Sequence, residues 1–474
     1  MHPTRSLAVL AALLPCLPLS AQDAEARPLQ LAFGDANVLH EPPDGAEAQQ
    51  TVWVAYPDGR GTWLDHRQYL EDLAVRWRDK GVAVGIVLPA AHAKAVASAA
   101  PKITVAAFVD EQPAELGVGP SSMTCLMGAG GRTTYLGNID GIVDVVTHVL
   151  ENGTADPYAN FEVQLMSLLN NVADGGQFAK QVEQCLKAFP HSGRAHAAKV
   201  LLHWWCEGDL DAAREAIDAG INALANDAVP MAIFADLVLR GDRNDPRNAR
   251  KLVMAMAPVA AGAPDGVFTQ LVYLRALLLA GQDRLAGRIV AKLQKKVQGD
   301  TFHQLVFAET LMEAETPAAF RDLAVRSIDA AKADGVYLKW SYAARHKVLA
   351  RCGEQQAADK LAAEYRKSDA GNNGLNNDAW YLIVQPPTMG RFDTLAGAQA
   401  EEMLRVEGDG IDYGNKDTVA LAMFVNGKIE RAVELQDEAT KAGGNQPEYV
   451  GRLTRFRNTL EELRARAEKD GKKK

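Results

Sequence analysis

His203-Trp204-Trp205-Cys206-Glu207-Gly208-Asp209-Leu210-Asp211-Ala212-Ala213 and Ala422-Met423-Phe424-Val425-Asn426-Gly427-Lys428-Ile429-Glu430-Arg431-Ala432 follow one pattern. An aromatic or apolar pair precedes a helix-ending glycine, and an apolar residue and a small alanine follow it. Gly176, Gly208, Gly241, Gly281, Gly353, Gly390 and Gly427 share this setting, at spacings of 32, 33, 40, 72, 37 and 37. The 72 is two periods of 36. A recurrence of that length predicts stacked helical hairpins, each covering the apolar face of the next.

Positions counted from each glycine sharpen the pattern. Eight residues before come Leu168, Val200, Ile233, Tyr273, Arg345, Leu382 and Val419, six of the seven apolar. Four before come Val172, Trp204, Leu237, Leu277, Leu349, Pro386 and Met423, none charged. Five after, Ala213, Ala286, Ala358 and Ala432 recur where two helices must approach closely. An irregular unit fits near Glu315, and Pro386-Pro387 must end its helix early. The segment 152–465 therefore reads as an all-α superhelix, with 466–474 as a charged tail. Trp204, Trp205, Tyr273, Tyr342 and Trp380 are its candidate groove residues.

The segment before it is built differently. Residues 1–21 carry His2 and Arg5, a short apolar run and Ser20-Ala21, as a secretory signal peptide does. The expected location is therefore periplasmic or secreted, with no transmembrane segment after signal removal, and 22–46 reads as a lead-in. From residue 47 the order is strand (51–56), helix (65–80), strand (82–88), helix (92–100), strand (103–109), a hairpin (121–136) and helix (140–150). Strands separated by helices imply parallel pairs, hence an α/β domain over 47–151.

Thr51–Trp63 (TVWVAYPDGRGTW), the following helix, Gly81–Pro89 (GVAVGIVLP) and Glu115–Gly137 carry a resemblance. The region resembles a thioredoxin-like domain of the exported thiol-reductase type. The helical segment resembles tetratricopeptide repeats in degenerate form. The first resemblance implies a CxxC at the start of the first helix. There the helix N-terminus favours a thiolate and a second thiol resolves the mixed disulfide. Arg60-Gly61-Thr62-Trp63 stands in that place, and no cysteine lies between Cys16 and Cys125. The family's cis-proline falls on Pro120 with a long hairpin turn and on Ser122 with a shorter one.

The implied function is a redox-inactive, non-catalytic binding or scaffold protein, with a groove for a peptide or protein partner and no cofactor. The alternative is a thiol-disulfide oxidoreductase or chaperone working through a single cysteine, Cys125. A net charge of −9 argues against nucleic acid as a partner. His196, His203 and Cys206 share a helix, and Glu407–Asp417 is acidic and glycine-rich. The first would need a fourth ligand and no second cluster is visible, the second lacks the oxygen-ligand spacing of a calcium loop, and no metal is expected.

Overall fold

The computed structural model describes residues 38–40, 50–55, 62–89, 106–110, 123–128, 133–137, 139–152, 175–241, 246–331, 337–384 and 388–471. The signal-like segment 1–21, the helix expected at 92–100, Arg60, Gly61, Pro120, Ser122 and Pro386-Pro387 lie outside the described residues. The described residues are mostly helical, with eighteen α-helices and one sheet.

The sheet has six strands: β1 (Val38–His40), β2 (Gln50–Ala55), β3 (Val82–Pro89), β4 (Ala106–Asp110), β5 (Met123–Gly128) and β6 (Thr133–Gly137). Their order is β1-β4-β3-β2-β5-β6. β2, β3 and β4 are parallel, and β5 and β6 continue antiparallel from β2. α1 (Thr62–Trp77) connects β2 to β3, and α2 (Ile142–Asn152) follows β6. A crossover helix is what allows two successive strands to pair in parallel. Val52, Val54, Val84 and Ile86 are buried with Leu70, Leu73 and Trp77 of α1 and with Ile142, Val145 and Val149 of α2. The lead-in supplies β1, which pairs antiparallel with β4.

After α3 (Gly175–Ala188) the chain runs as helical hairpins. They are α4 (Gly193–Leu201) with α5 (Leu210–Leu224), α6 (Ala228–Gly241) with α7 (Pro246–Gly262), and α8 (Val267–Leu279) with α9 (Asp283–Lys296). Next come α10 (Thr301–Leu311) with α11 (Arg321–Ala330), and α12 (Leu338–Arg351) with α13 (Gln355–Lys367). α14 (Leu375–Val384) pairs with α15 (Asp393–Glu407), and α16 (Tyr413–Val425) with α17 (Ile429–Ala442). The unit expected near Glu315 is the α10–α11 hairpin.

Gly208, Gly281, Gly353, Gly390 and Gly427 all have positive φ, as a left-handed turn residue must. Gly176 does not end a helix: it lies in the first turn of α3. The four alanines five residues past the glycines are fully buried, so their small size sets the hairpin spacing. First helices such as α8 and α10 are buried on every side, whereas the second helices show one buried stripe.

Two departures matter. α12 packs chiefly on α15 and meets α14 through Lys339, so the second helix of that hairpin takes the more buried place. Pro386-Pro387 marks this break in the sequence. α18 (Pro447–Gly471) then returns to the first hairpin, against the π-helical turn Leu202–Glu207 that extends α4. Asn458 Nδ2 donates to Gly208 O at 2.7 Å. The helical array therefore closes on itself. α18 also runs through most of the expected 466–474 tail, to Gly471.

Candidate functional site

Closure brings charged side chains from five hairpin segments together in the interior. Arg275 on α8 donates from Nη1 to Asp236 Oδ1 on α6 at 2.9 Å, and from Nη2 to Thr310 Oγ1 at 3.0 Å and to Glu309. Lys347 on α12 donates to Glu309 Oε2 at 2.9 Å and Glu313 Oε1 at 2.6 Å. Arg391, just before α15, reaches Glu309 and, at 3.3 Å, Asp236 Oδ2. Arg240 pairs with Asp236 at 2.9 Å and donates to Met389 O at 3.0 Å. Glu309 is 0 % exposed and Lys347 1 %.

Burial alone would raise the Glu309 pKa. The cations Arg275, Lys347 and Arg391 outweigh it and hold the carboxyl well below the ordinary range. Asp236 is lowered in the same way, with Arg240, Arg391 and Arg275 overriding burial. The carboxylates are ionised and engaged, which makes the network a clasp between distant hairpins.

Beside it, His346 on α12 is buried, with Nδ1 3.1 Å from Thr394 Oγ1, and burial lowers its pKa to about 4. A histidine lowered from 6.5 favours folding while neutral. Its contribution is present above about pH 6.5 and is lost as pH falls through about 4. Stability is therefore expected to fall between those values. His346→Gln should remove a part of that slope on the order of 3 kcal/mol. Urea titrations of both proteins across this range check it, and parallel pH profiles would refute it.

A second constellation runs from the buried charges Arg452 and Asp417 to the surface. Arg452 on α18 makes a fork to Asp417 at 2.7 and 2.8 Å, and its guanidinium lies over Trp380 at 5.8 Å and Tyr449 at 5.3 Å. Tyr413 meets Tyr449 edge-on at 6.1 Å and is 44 % exposed. Lys339 Nζ lies 4.9 Å from the centroid of the exposed Tyr381 ring and 2.7 Å from Asp378 Oδ1. The exchange of α14 for α15 produces this face: Leu382 and Ile383 turn inward, while Trp380 stays half-buried and Tyr381 exposed.

No family model matches the chain, and neither does any curated protein or solved structure.

Of the expected groove residues, Trp204 and Trp205 are 2 % and 8 % exposed and line no open groove. α18 covers them: Arg455 stacks over Trp205 at 4.9 Å. Tyr273 is half-buried on α8, and Tyr342 packs edge-on to Tyr365 at 5.6 Å. Only Trp380 belongs to the exposed aromatic face. Thr62 and Trp63 are the first two residues of α1. Cys125 sits in mid-strand on β5, opposite Trp53 and Leu136.

His203 is taken by Glu207 at 2.6 Å and His196 by Pro190 O at 2.8 Å. No metal-competent group occurs among the described residues. Asp412 caps α16 by accepting from Gly414 N and Asn415 N. The residues that sequence reading missed are the network charges. Their signal is a lone charge within an apolar run, as in Val272-Tyr273-Leu274-Arg275-Ala276-Leu277.

Proposed function

We propose that this chain is an exported, non-catalytic binding protein that holds a peptide or protein partner on the face of Trp380, Tyr381, Tyr413 and Tyr449. That face carries the reading. Tryptophan, tyrosine and arginine dominate the energetics of protein interfaces, because they bury large areas and keep a polar edge. Here Trp380 and Tyr449 flank Arg452, which Asp417 holds, Tyr413 packs on Tyr449, and Tyr381 lies under Lys339, which Asp378 holds.

The N-terminal unit is read as a thioredoxin-like domain without its thiols, and the helical unit as a tetratricopeptide-like array. The β4-β3-β2-β5-β6 order supports the first, since that reading needs a strand-helix-strand unit continued by an antiparallel hairpin and a final helix. Thr62 and Trp63 open α1, where a reducing domain would carry cysteine. The glycine-terminated hairpins support the second. Export rests on the signal-like residues 1–21. The reading with Cys125 as nucleophile is opposed by its mid-strand position, and Cys352 is no substitute, because burial and Glu354 raise its thiol pKa.

The test is selection of displayed random peptides on the purified protein, with the winners measured by fluorescence polarisation. Trp380→Ala and Tyr413→Ala should each weaken binding by about 30-fold, the loss of a contact worth about 2 kcal/mol. Peptides that bind both variants as well as wild type would end the proposal, as would a selection that enriches nothing.

A further inference from the structure

The outer face of α9 is basic in a chain whose net charge is −9. On α9, Arg284, Arg288, Lys292 and Lys295 recur at steps of four, four and three, so they share one face. That face is opposite the buried stripe of Ala286, Val290 and Leu293. All four are exposed, and none makes an ion pair among the described residues. They form a straight row about 17 Å long, from the rise per residue of a helix.

α7 adds Arg250, also exposed and without an ion pair among the described residues, and Met254 at 71 % exposure. Lys296 ties the end of α9 to the turn after α7, donating to Pro264 O at 2.7 Å and Asp265 Oδ1 at 2.6 Å. The two helices therefore end side by side. Other outer helices balance their charges: α17 pairs Arg431 with Glu434 and Lys441 with Asp437, and α5 pairs Arg214 with Asp211. α7 has no acidic residue of its own, its Arg247 and Lys251 pairing with Glu462 and Asp218 of other helices, and α9 has only Asp283, in its first turn.

We infer that this face docks the protein on an anionic lipid bilayer. A linear row of exposed cations on one helix face matches a flat negative surface, which attracts each lysine or arginine that reaches it. Met254 projects from the neighbouring helix as an apolar side chain able to enter the headgroup layer, as surface-bound proteins use apolar side chains beside basic ones. An acidic protein segment would use the same cations but has no need of a protruding methionine. The net negative charge of the chain disfavours a random approach to such a membrane, so attraction has to come from a locally basic face such as this one. The inference does not depend on the aromatic face.

Co-sedimentation of the full chain with phosphatidylcholine vesicles, with and without phosphatidylglycerol, tests it. Binding is expected only with the anionic lipid and should disappear at high salt. Arg284→Glu with Arg288→Glu and Lys292→Glu should lower it at least about tenfold. All three residues are exposed, and the variant's circular dichroism should match wild type. Met254→Ser should weaken binding about threefold, the loss of a partly inserted side chain. Absence of binding to anionic vesicles, or equal binding by the charge-reversed protein, would overturn the inference. So would an unchanged Met254→Ser affinity together with tighter binding to soluble poly-glutamate, which would assign the face to acidic proteins.

Discussion

Replacing Glu309 by glutamine is expected to destabilise the helical array by about 3–5 kcal/mol, the range for breaking a buried ion pair from one side. For a unit of this size that corresponds to a fall in melting midpoint of roughly 10 °C. Glutamine keeps the volume, so the loss comes from charge and not from a cavity. Arg275, Lys347 and Arg391 would keep their places with one shared counter-charge gone. Removing Glu313 should cost less, since it lies nearer the surface than Glu309.

The effect of Glu309 has a pH signature. Its folded pKa is depressed, so its contribution is complete above the ordinary carboxylate range, near 4.3. It is lost as pH falls further towards the folded value. Wild type and Glu309→Gln should therefore differ most at neutral pH and converge in acid. Asp417 runs the other way: burial raises its pKa, with Arg452 and Gln436 opposing, so its share declines as pH rises. Guanidinium titrations at neutral and acidic pH separate the two. Equal midpoints for Glu309→Gln and wild type at neutral pH would mean that the network contributes no net stability.

The hairpins were legible because their signals are local. A left-handed turn favours glycine at a fixed place, and a close helix crossing requires alanine a few residues on; Gly281 with Ala286 and Gly353 with Ala358 satisfy both. The network was not legible, because its partners lie in different hairpins. Arg275 and Lys347 stand six residues before their glycines, and Asp236 five before Gly241. Positions eight and four before the glycine report packing within a hairpin and against its neighbour. Positions five and six face the interior, whose occupants depend on how the array curves. Trp204 and Trp205 were misplaced for the same reason: what covers them is α18, some 250 residues later, and no local pattern announces closure. Pro386-Pro387 was visible as a break. That the break would put α15 inside and turn Trp380 and Tyr381 outward is a property of packing that the dipeptide does not encode.

Gly390→Ala and Gly353→Ala should separate backbone conformation from closure. Both glycines have positive φ, 67° and 79°. An L-residue in that conformation costs about 1–2 kcal/mol through its Cβ, and both variants share this loss. Around Gly353 a Cβ would meet nothing within 4 Å. At Gly390 it would stand 2.1 Å from the carbonyl oxygen of Arg240, and backbone cannot rotate away as a side chain can. The end of α6 would have to separate from the segment before α15. With it would move Arg240, which donates to Met389 O, and Arg391, which reaches Asp236. Overpacking of this kind adds about 1–3 kcal/mol, and strain on the buried network adds to it. Gly353→Ala is therefore expected to lower stability by about 1 kcal/mol and Gly390→Ala by about 3 kcal/mol or more. Hydrogen exchange of Gly390→Ala should show the extra loss of protection on both sides of the contact, at the end of α6 and at the start of α15, whereas Gly353→Ala should lose protection at the α12–α13 turn that Gly353 forms. Equal destabilisation of the two proteins would mean that the approach of Gly390 to Arg240 is not maintained in solution.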